Sequence, residues 1–84
     1  MDPDIWGPKL WFTMHTMSLN YPENPTNKDQ QANEIFFNNL QNIIPCDLSK
    51  KDYTTYLGKN PVTKHLSNKI SLVKLVLDLH NDVS

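Results

Sequence analysis

The sequence of 84 residues contains no arginine: all eight basic residues are lysines, and the net charge at pH 7 is −1. Arginine supplies the planar, bidentate donor that most often contacts phosphates and guanines. A nearly neutral chain without arginine is a poor candidate for binding nucleic acid, so we expect no nucleic-acid partner. No apolar run approaches the roughly 20 residues that span a bilayer. We therefore expect no membrane partner either.

Cysteine is also scarce, since Cys46 is the only one. A single cysteine excludes an intramolecular disulfide, and the core of so small a domain supplies only about 3–5 kcal/mol. We therefore expect a cofactor, a metal or a partner subunit to stabilise it. A metal site built from His15, His65, His80 and Cys46 is disfavoured, because no pair of them shows the short spacing typical of zinc ligands.

The residues that are present show helical periodicity in four segments. This pattern predicts an all-α fold, a compact four-helix bundle, in a single domain of residues 1–84. Gly7 and Pro8 predict the start of the first helix, because proline is favoured at the first helical position. This helix would cover residues 8–20.

Local signals predict the limits of the next two helices. Thr26 and Asp29 resemble a capping box, although the usual third residue is Glu or Gln, and they predict a second helix that runs to about residue 42. A third helix is expected to begin at Pro45. It would end at Gly58, since glycine is common just after the end of a helix.

The fourth helix is predicted over residues 68–83, with Ser67 as its N-cap. Its apolar residues lie on two adjacent flanks, Leu72, Leu75, Val76, Leu79 and Val83 on one and Ile70, Val73, Leu77 and His80 on the other. The apolar arc spans roughly 200°, whereas a surface helix needs somewhat over 100°. We therefore expect a subunit interface, a cofactor or further chain to cover the second flank. His80 would be a core residue or a ligand contact.

One face of the first helix carries Trp11, Met14, His15 and Ser18, which recur at i, i+3, i+4 and i+7. Such a face can be ordinary core, or it can form a wall for a flat aromatic ligand. Spacing alone favours core, with His15 as an interior histidine whose hydrogen bonds are satisfied.

Pro45 followed by Cys46 predicts that the thiol lies in the first turn of the third helix. Unpaired N–H groups and the helix dipole would stabilise a thiolate there and lower the thiol pKa below its ordinary value of about 8.5. Lys50 and Lys51 would act in the same direction. Ser49 makes the motif Cys-x-x-Ser, where a dithiol site has Cys-x-x-Cys. Taken alone, a buried free cysteine that packs as a small hydrophobe is the more common reading.

Short motifs occur in order along nearly the whole chain. They are Trp6-Gly7-Pro8-Lys9-Leu10-Trp11, Met14-His15, Tyr21-Pro22, Pro25-Thr26, Pro45-Cys46, Tyr56-Leu57, Lys59-Asn60-Pro61 and His80-Asn81-x-Val83. Each is weak alone, but together they resemble the Erv/ALR family of FAD-linked sulfhydryl oxidases. The chain is similar in particular to the short forms carried by large DNA viruses.

The resemblance implies a fold and an activity. The family fold is a helical bundle that holds FAD, usually as a homodimer through the first two helices. A Cys-x-x-Cys pair takes electrons from substrate protein dithiols and passes them to FAD. Oxygen then reoxidises the flavin and gives hydrogen peroxide.

The resemblance also assigns cofactor-binding residues by position. Trp11 and His15 are expected to help enclose the flavin nucleotide, and Gly7 to allow its close approach. His80 and Asn81 are expected to contact the adenine and ribose end. Burial of FAD would supply the stabilising ligand that a domain of this size needs.

The catalytic positions are Cys46 and Ser49. Cys46 corresponds to the outer cysteine, which exchanges with substrate, whereas Ser49 stands where the cysteine next to the flavin should be. Serine cannot form a disulfide, so we expect this chain to be inactive as an oxidase. A helical module that dimerises or docks a partner without catalysis is the alternative.

The end of the sequence departs from the family pattern. The family motif continues with Asn after His-Asn-x-Val, whereas Ser84 stands here and is the last residue. A fifth short helix and a second cysteine pair are missing, so a domain truncated at its C-terminus is expected. Relatives act in mitochondria, in the secretory pathway or in infected cells and virions, so the resemblance fixes no compartment.

Overall fold

The computed structural model describes residues 2–83 and contains four α-helices. They are α1 (Pro3–Leu19), α2 (Asn27–Ile43), α3 (Asp47–Lys59) and α4 (Lys69–Val83), and a short 3₁₀-helix (Val62–His65) joins α3 to α4. The described residues include no strand and no fifth α-helix. The predicted all-α four-helix fold is confirmed. No helix within this range has both the length and the apolar character needed to cross a bilayer.

α1 begins at Pro3, so the predicted start at Pro8 is wrong. Asp2 is the N-cap, and its carboxylate accepts a hydrogen bond of 2.9 Å from the N–H of Asp4. An acidic N-cap followed by proline is sufficient to start a helix, and this pair lies N-terminal to Gly7 and Pro8. Pro8 lies inside the helix, where it has no N–H to donate to the preceding turn.

α3 begins at Asp47, so the prediction that Pro45 and Cys46 form its first turn is also wrong. Cys46 is the N-cap, and its backbone is extended with φ −124° and ψ 122°. The helix continues through Gly58 to Lys59. It stops there because the following Asn60 precedes a proline, and a residue in that position is excluded from the helical region.

The capping box of α2 is confirmed: the Thr26 hydroxyl accepts from the N–H of Asp29, and the Asp29 carboxylate accepts from the N–H of Thr26. The predicted cap of α4 is corrected by one residue. Asn68, and not Ser67, accepts a hydrogen bond of 2.9 Å from the N–H of Ser71. Asparagine and serine are both favoured as N-caps, so residue type alone could not decide between Ser67 and Asn68.

α4 packs against both α1 and α3 and forms the centre of the core. Its buried residues are Leu72, Leu75, Val76 and Leu79, and they meet Met14 of α1, Phe37 of α2 and Tyr53 of α3 in one cluster. The Tyr53 hydroxyl donates a hydrogen bond of 2.6 Å to the carbonyl of Phe37, which ties α3 to α2.

The second flank of α4 is only partly covered within residues 2–83, since His80 packs against Trp11 of α1 whereas Ile70 and Leu77 remain exposed. Ile70 is 73% exposed and Leu77 is 50% exposed. On α2, Ile35 is 54% exposed, whereas Phe37 is buried. Packing within the described chain therefore leaves the wide apolar arc half covered, as its width predicted.

Candidate functional site

A cleft of about 460 Å³ lies beside the N-terminal half of α1. Its walls come from α1, from the junction of α2 and α3, and from the last turn of α4. Side chains on these walls include those of Trp6, Trp11, His15, Ser49, Tyr53 and His80. The lining is mainly apolar and aromatic, with a few polar groups, which is typical of sites for small molecules and cofactors.

Trp11, His15 and His80 form an aromatic cluster on one side of the cleft. Trp11 and His15 are one turn apart on α1, and α4 brings His80 to them. The ring of His80 stacks on that of Trp11, with 4.3 Å between centroids and 10° between planes. Nε2 of His15 lies 2.9 Å from Nδ1 of His80, a hydrogen bond in which one ring donates and the other accepts. The two helices thus build one aromatic cluster, in which the rings of Trp11 and His80 are nearly parallel and that of His15 is tilted by 43° from His80.

The pKa of His80 is lowered by burial and by the nearby His15. Burial disfavours the charged imidazolium because it removes water, and a second imidazole adds repulsion when both rings are charged. At neutral pH His80 is therefore a neutral ring. Its Nε2 lies outside the hydrogen bond to His15.

Gly7 lies on the cleft wall, and a Cβ built on it would meet no atom within 4 Å. Gly7, Trp11 and His15 are spaced at four residues, so they share one face of α1. The missing side chain leaves open space at the end of the aromatic cluster. That space is where the resemblance expects close approach of a ligand.

Asn81 is exposed and does not line the cleft, unlike its neighbour His80. Successive residues of a helix point about 100° apart, and Asn81 lies on the exposed side of α4. The contact of Asn81 with a ribose stays a prediction.

Ser49 lines the cleft, whereas Cys46 lies outside it at the start of α3. Cys46 is half-buried and makes no side-chain capping hydrogen bond. Its thiol pKa is nevertheless lowered, by the N–H and then the hydroxyl of Ser49, against the opposing effects of burial and of Asp47. The pKa of the Cys46 thiol is thus lowered, as the sequence predicted. The causes that lower this pKa are the two donors at Ser49 and then the N–H of Leu48.

Trp6, Ile44 and Tyr53 also line the cleft, although sequence reasoning gave them no role there. Tyr53 is four residues after Ser49, so its presence on the same face of α3 could have been inferred from spacing. Ile44 follows the last residue of α2 and carries no periodic signal. No group of three or more His, Cys, Asp or Glu residues between positions 2 and 83 is arranged to hold a metal ion.

Comparison with known proteins places this geometry in a family. The model of the Erv1/Alr family matches residues 8–84. The chain belongs to the Erv1/Alr family. The resemblance inferred from its motifs is thereby confirmed.

Individual relatives agree with the family match. A "probable FAD-linked sulfhydryl oxidase" of Acanthamoeba polyphaga mimivirus is 38% identical over 85 residues, which cover all of this chain. The mitochondrial FAD-linked sulfhydryl oxidase erv1 of Schizosaccharomyces pombe is 29% identical over 98% of the chain. This chain spans 59% of the length of the first relative and 46% of the second.

A solved structure has the same fold. The crystal structure of the yeast Erv1 core superposes with a TM-score of 0.91 at 25% identity. The match covers 99% of this chain and 69% of the yeast chain. The helical bundle described above is therefore the Erv1 fold.

Proposed function

We propose that this chain is an FAD-binding domain of the sulfhydryl oxidase type, with FAD in the cleft. The observation that carries the proposal is the aromatic cluster, in which Trp11 and His80 stack and His15 fixes the ring of His80. A large, flat nucleotide cofactor matches such a cluster, and the open space at Gly7 gives it room. Relatives named FAD-linked sulfhydryl oxidases support the same cofactor.

FAD, when bound, supplies the acceptor for an electron pair from a dithiol. The chain's own residues would bind and orient it. Trp11 and His80 offer aromatic faces, His15 holds His80 through the 2.9 Å hydrogen bond, and Trp6 and Ile44 keep water from one wall. Binding to the folded state alone would stabilise this small domain by mass action.

Cys46 is proposed to exchange disulfides with a substrate protein. Its thiolate, favoured by the donors at Ser49, attacks one sulfur of a substrate disulfide. A mixed disulfide forms, and the other substrate sulfur leaves as a thiolate. No oxidant is needed, because the number of disulfides does not change.

Ser49 is proposed to make the chain inactive as an oxidase. A second thiol at this position would form a disulfide with Cys46, and a substrate dithiol that reduced this disulfide would leave the thiol pair from which FAD, when bound, could take two electrons. The serine oxygen cannot form a disulfide, so the mixed disulfide at Cys46 persists until an external thiol attacks it. Exchange is retained under this proposal, and turnover with oxygen is lost.

The test is to substitute Ser49→Cys and to measure thiol-dependent oxygen consumption of the FAD-loaded chain. We expect consumption by this variant and none by the parent chain. Thr54→Cys is the matched control, because it adds a thiol to an exposed position of the same helix, eight residues from Cys46. If Ser49→Cys binds FAD and remains inert, the role assigned to position 49 is wrong.

The alternative, a helical docking or dimerisation module without catalysis, is favoured by one observation. An apolar groove lies between the end of α1 and the exposed flank of α4, with Leu19, Ile70 and Leu77 in its lining. Under this alternative the purified chain is colourless, does not take up added FAD, and retains its binding after Cys46→Ala. Flavin absorbance of the purified chain separates the two functions.

A further inference from the structure

A second concave surface, the side groove, lies between the N-terminal part of α1 and the end of α2. It has a volume of about 220 Å³ and is lined by Trp6, Leu10, Leu40, Ile43, Ile44 and Pro45. Ile43 is 69% exposed, and Leu48 in the first turn of α3 is exposed to the same extent. Folding thus leaves large apolar side chains uncovered on both sides of Cys46 in the sequence.

The side groove is continuous with the thiol site. Trp6, Leu10 and Ile44 line both the side groove and the cleft. From this shared wall the chain passes through Pro45 in the side groove to Cys46, and then to Ser49 in the cleft. A molecule held in the side groove therefore lies next to the segment that carries the thiol and leaves the cleft open.

Covalent geometry determines what can reach this surface during exchange. In a mixed disulfide the two sulfurs are about 2.05 Å apart, and consecutive Cα atoms of the substrate are about 3.8 Å apart. The residues that flank a substrate cysteine must therefore pass over the surface around Cys46. That surface offers Ile43, Pro45 and Leu48. A large apolar side chain would be buried against these residues.

We infer that the side groove selects its substrate, a polypeptide that carries a large apolar residue next to the reacting cysteine. The inference rests on the exchange role proposed for Cys46 and names the substrate class for that role. In the step, the Cys46 thiolate forms a bond to the peptide sulfur, the peptide's original disulfide bond breaks, and its second sulfur leaves as a thiolate. The apolar neighbour enters the side groove as the new bond forms.

The experiment measures how fast Cys46 forms a mixed disulfide with two short peptides, Gly-Phe-Cys-Gly and Gly-Ser-Cys-Gly, each carried as its disulfide with thionitrobenzoate. Release of coloured thionitrobenzoate reports the reaction. The mixed disulfide of 2-mercaptoethanol with thionitrobenzoate, which has no side chain to place in the side groove, is measured in parallel for every variant and corrects for changes in thiol reactivity. We expect the phenylalanine peptide to react about tenfold faster than the serine peptide.

Substitutions locate the source of that preference. Ile43→Ser alters an exposed side chain that lines the side groove, and we expect it to lower the preference to about threefold or less. Leu77→Ser is the matched control, since Leu77 is similarly exposed but lies on α4 outside the side groove. It should retain the tenfold ratio.

The outcomes separate this inference from the proposed function. If Cys46 reacts with the small disulfide but equally fast with both peptides, the side groove does not select substrates, while the exchange role stands. If Cys46 reacts with none of them, the exchange role fails and the inference fails with it. If Ile43→Ser converts a dimer into a monomer, the side groove belongs to a subunit interface, and the inference is overturned.

Discussion

His80 joins α4 to α1 through one ring. It stacks on Trp11, hydrogen-bonds His15, and reaches both from a different helix. Since burial and His15 both lower its pKa, the folded protein holds this ring neutral where an unfolded chain would begin to protonate it. The same ring thus links helix packing to pH, at a site where we propose that FAD binds.

We predict that the free energy of unfolding falls as the pH falls below about 6.5, the ordinary pKa of histidine. Between that value and the lowered pKa of folded His80, the unfolded chain binds more protons than the folded chain. Stability therefore rises with pH in this window, and below the lowered pKa no further loss arises from His80. Urea unfolding at a series of pH values measures the effect.

His80→Gln should reduce this pH dependence, because the variant has no group to titrate at this position. His65→Gln is the control, since His65 lies in the 3₁₀-helix outside the cleft. Equal pH dependence in the parent chain and in His80→Gln would contradict the prediction.

At the scale of residues, sequence reasoning recovered part of the site. Helical spacing placed Trp11 and His15 on one face, because that relation is local to one helix. The approach of His80 to them depends on how α4 packs on α1, and only the family resemblance supplied it. The N-cap position of Cys46 was missed, since Pro45 is equally compatible with the first turn and with the residue before the cap.

At the scale of elements, the predicted start of a helix depended on the choice between two neighbouring capping signals in the sequence. α1 begins at Asp2 and Pro3, although Gly7 and Pro8 offer a similar signal one to two turns later. The earlier signal includes a carboxylate that accepts from a backbone N–H, which glycine cannot do. The existence and order of all four helices followed from periodicity, and the capping box gave the start of α2, whereas the first residues of α1 and α3 were known only from the structure.

Gly7 gives a prediction about α1. Gly7→Ala should raise the free energy of unfolding by about 0.5–1 kcal/mol, because alanine loses less backbone entropy in a helix and the new Cβ meets nothing within 4 Å. The same substitution should weaken FAD binding, since it fills space on the cleft wall. Urea unfolding measures the first effect, and titration of flavin fluorescence measures the second.

Gly58→Ala is the matched control for this pair of effects. Gly58 also lies within a helix with nothing near its Cβ position, but it is on α3 outside the cleft. It should gain stability without a change in FAD affinity. Unchanged FAD affinity in Gly7→Ala would show that position 7 gives the ligand no needed room.

At the scale of the whole molecule, the exposed apolar residues indicate an incomplete assembly. Ile5, Phe12 and Leu19 recur every seven residues on α1, and Ile35 is exposed on α2. A seven-residue repeat is the spacing of helix–helix seams. We predict a homodimer through α1 and α2, as the family resemblance implies.

Ile35→Lys should raise the dimer dissociation constant about tenfold or more, because a buried isoleucine contributes about 1.5–3 kcal/mol and a buried lysine is unfavourable. Sedimentation over a range of concentrations measures it. Ile70→Lys is the control, at a residue that is 73% exposed on α4. If Ile70→Lys dissociates the dimer and Ile35→Lys does not, the interface lies on α4.

The sequence anticipated that helix four carries more apolar surface than its companions can cover. What covers the rest of that apolar surface could not be predicted, because periodicity describes one helix and not the elements that pack against it. Ile70 and Leu77 remain exposed within residues 2–83 for that reason.

The chain has two tryptophans, and both Trp6 and Trp11 border the cleft. Its ultraviolet emission therefore comes mainly from the one place where a ligand is expected to bind. A bound flavin absorbs near the wavelengths at which indoles emit. FAD in the cleft would therefore quench the tryptophan fluorescence through energy transfer. The intrinsic fluorescence of Trp6 and Trp11 thus reports whether the cleft is occupied, without an added label.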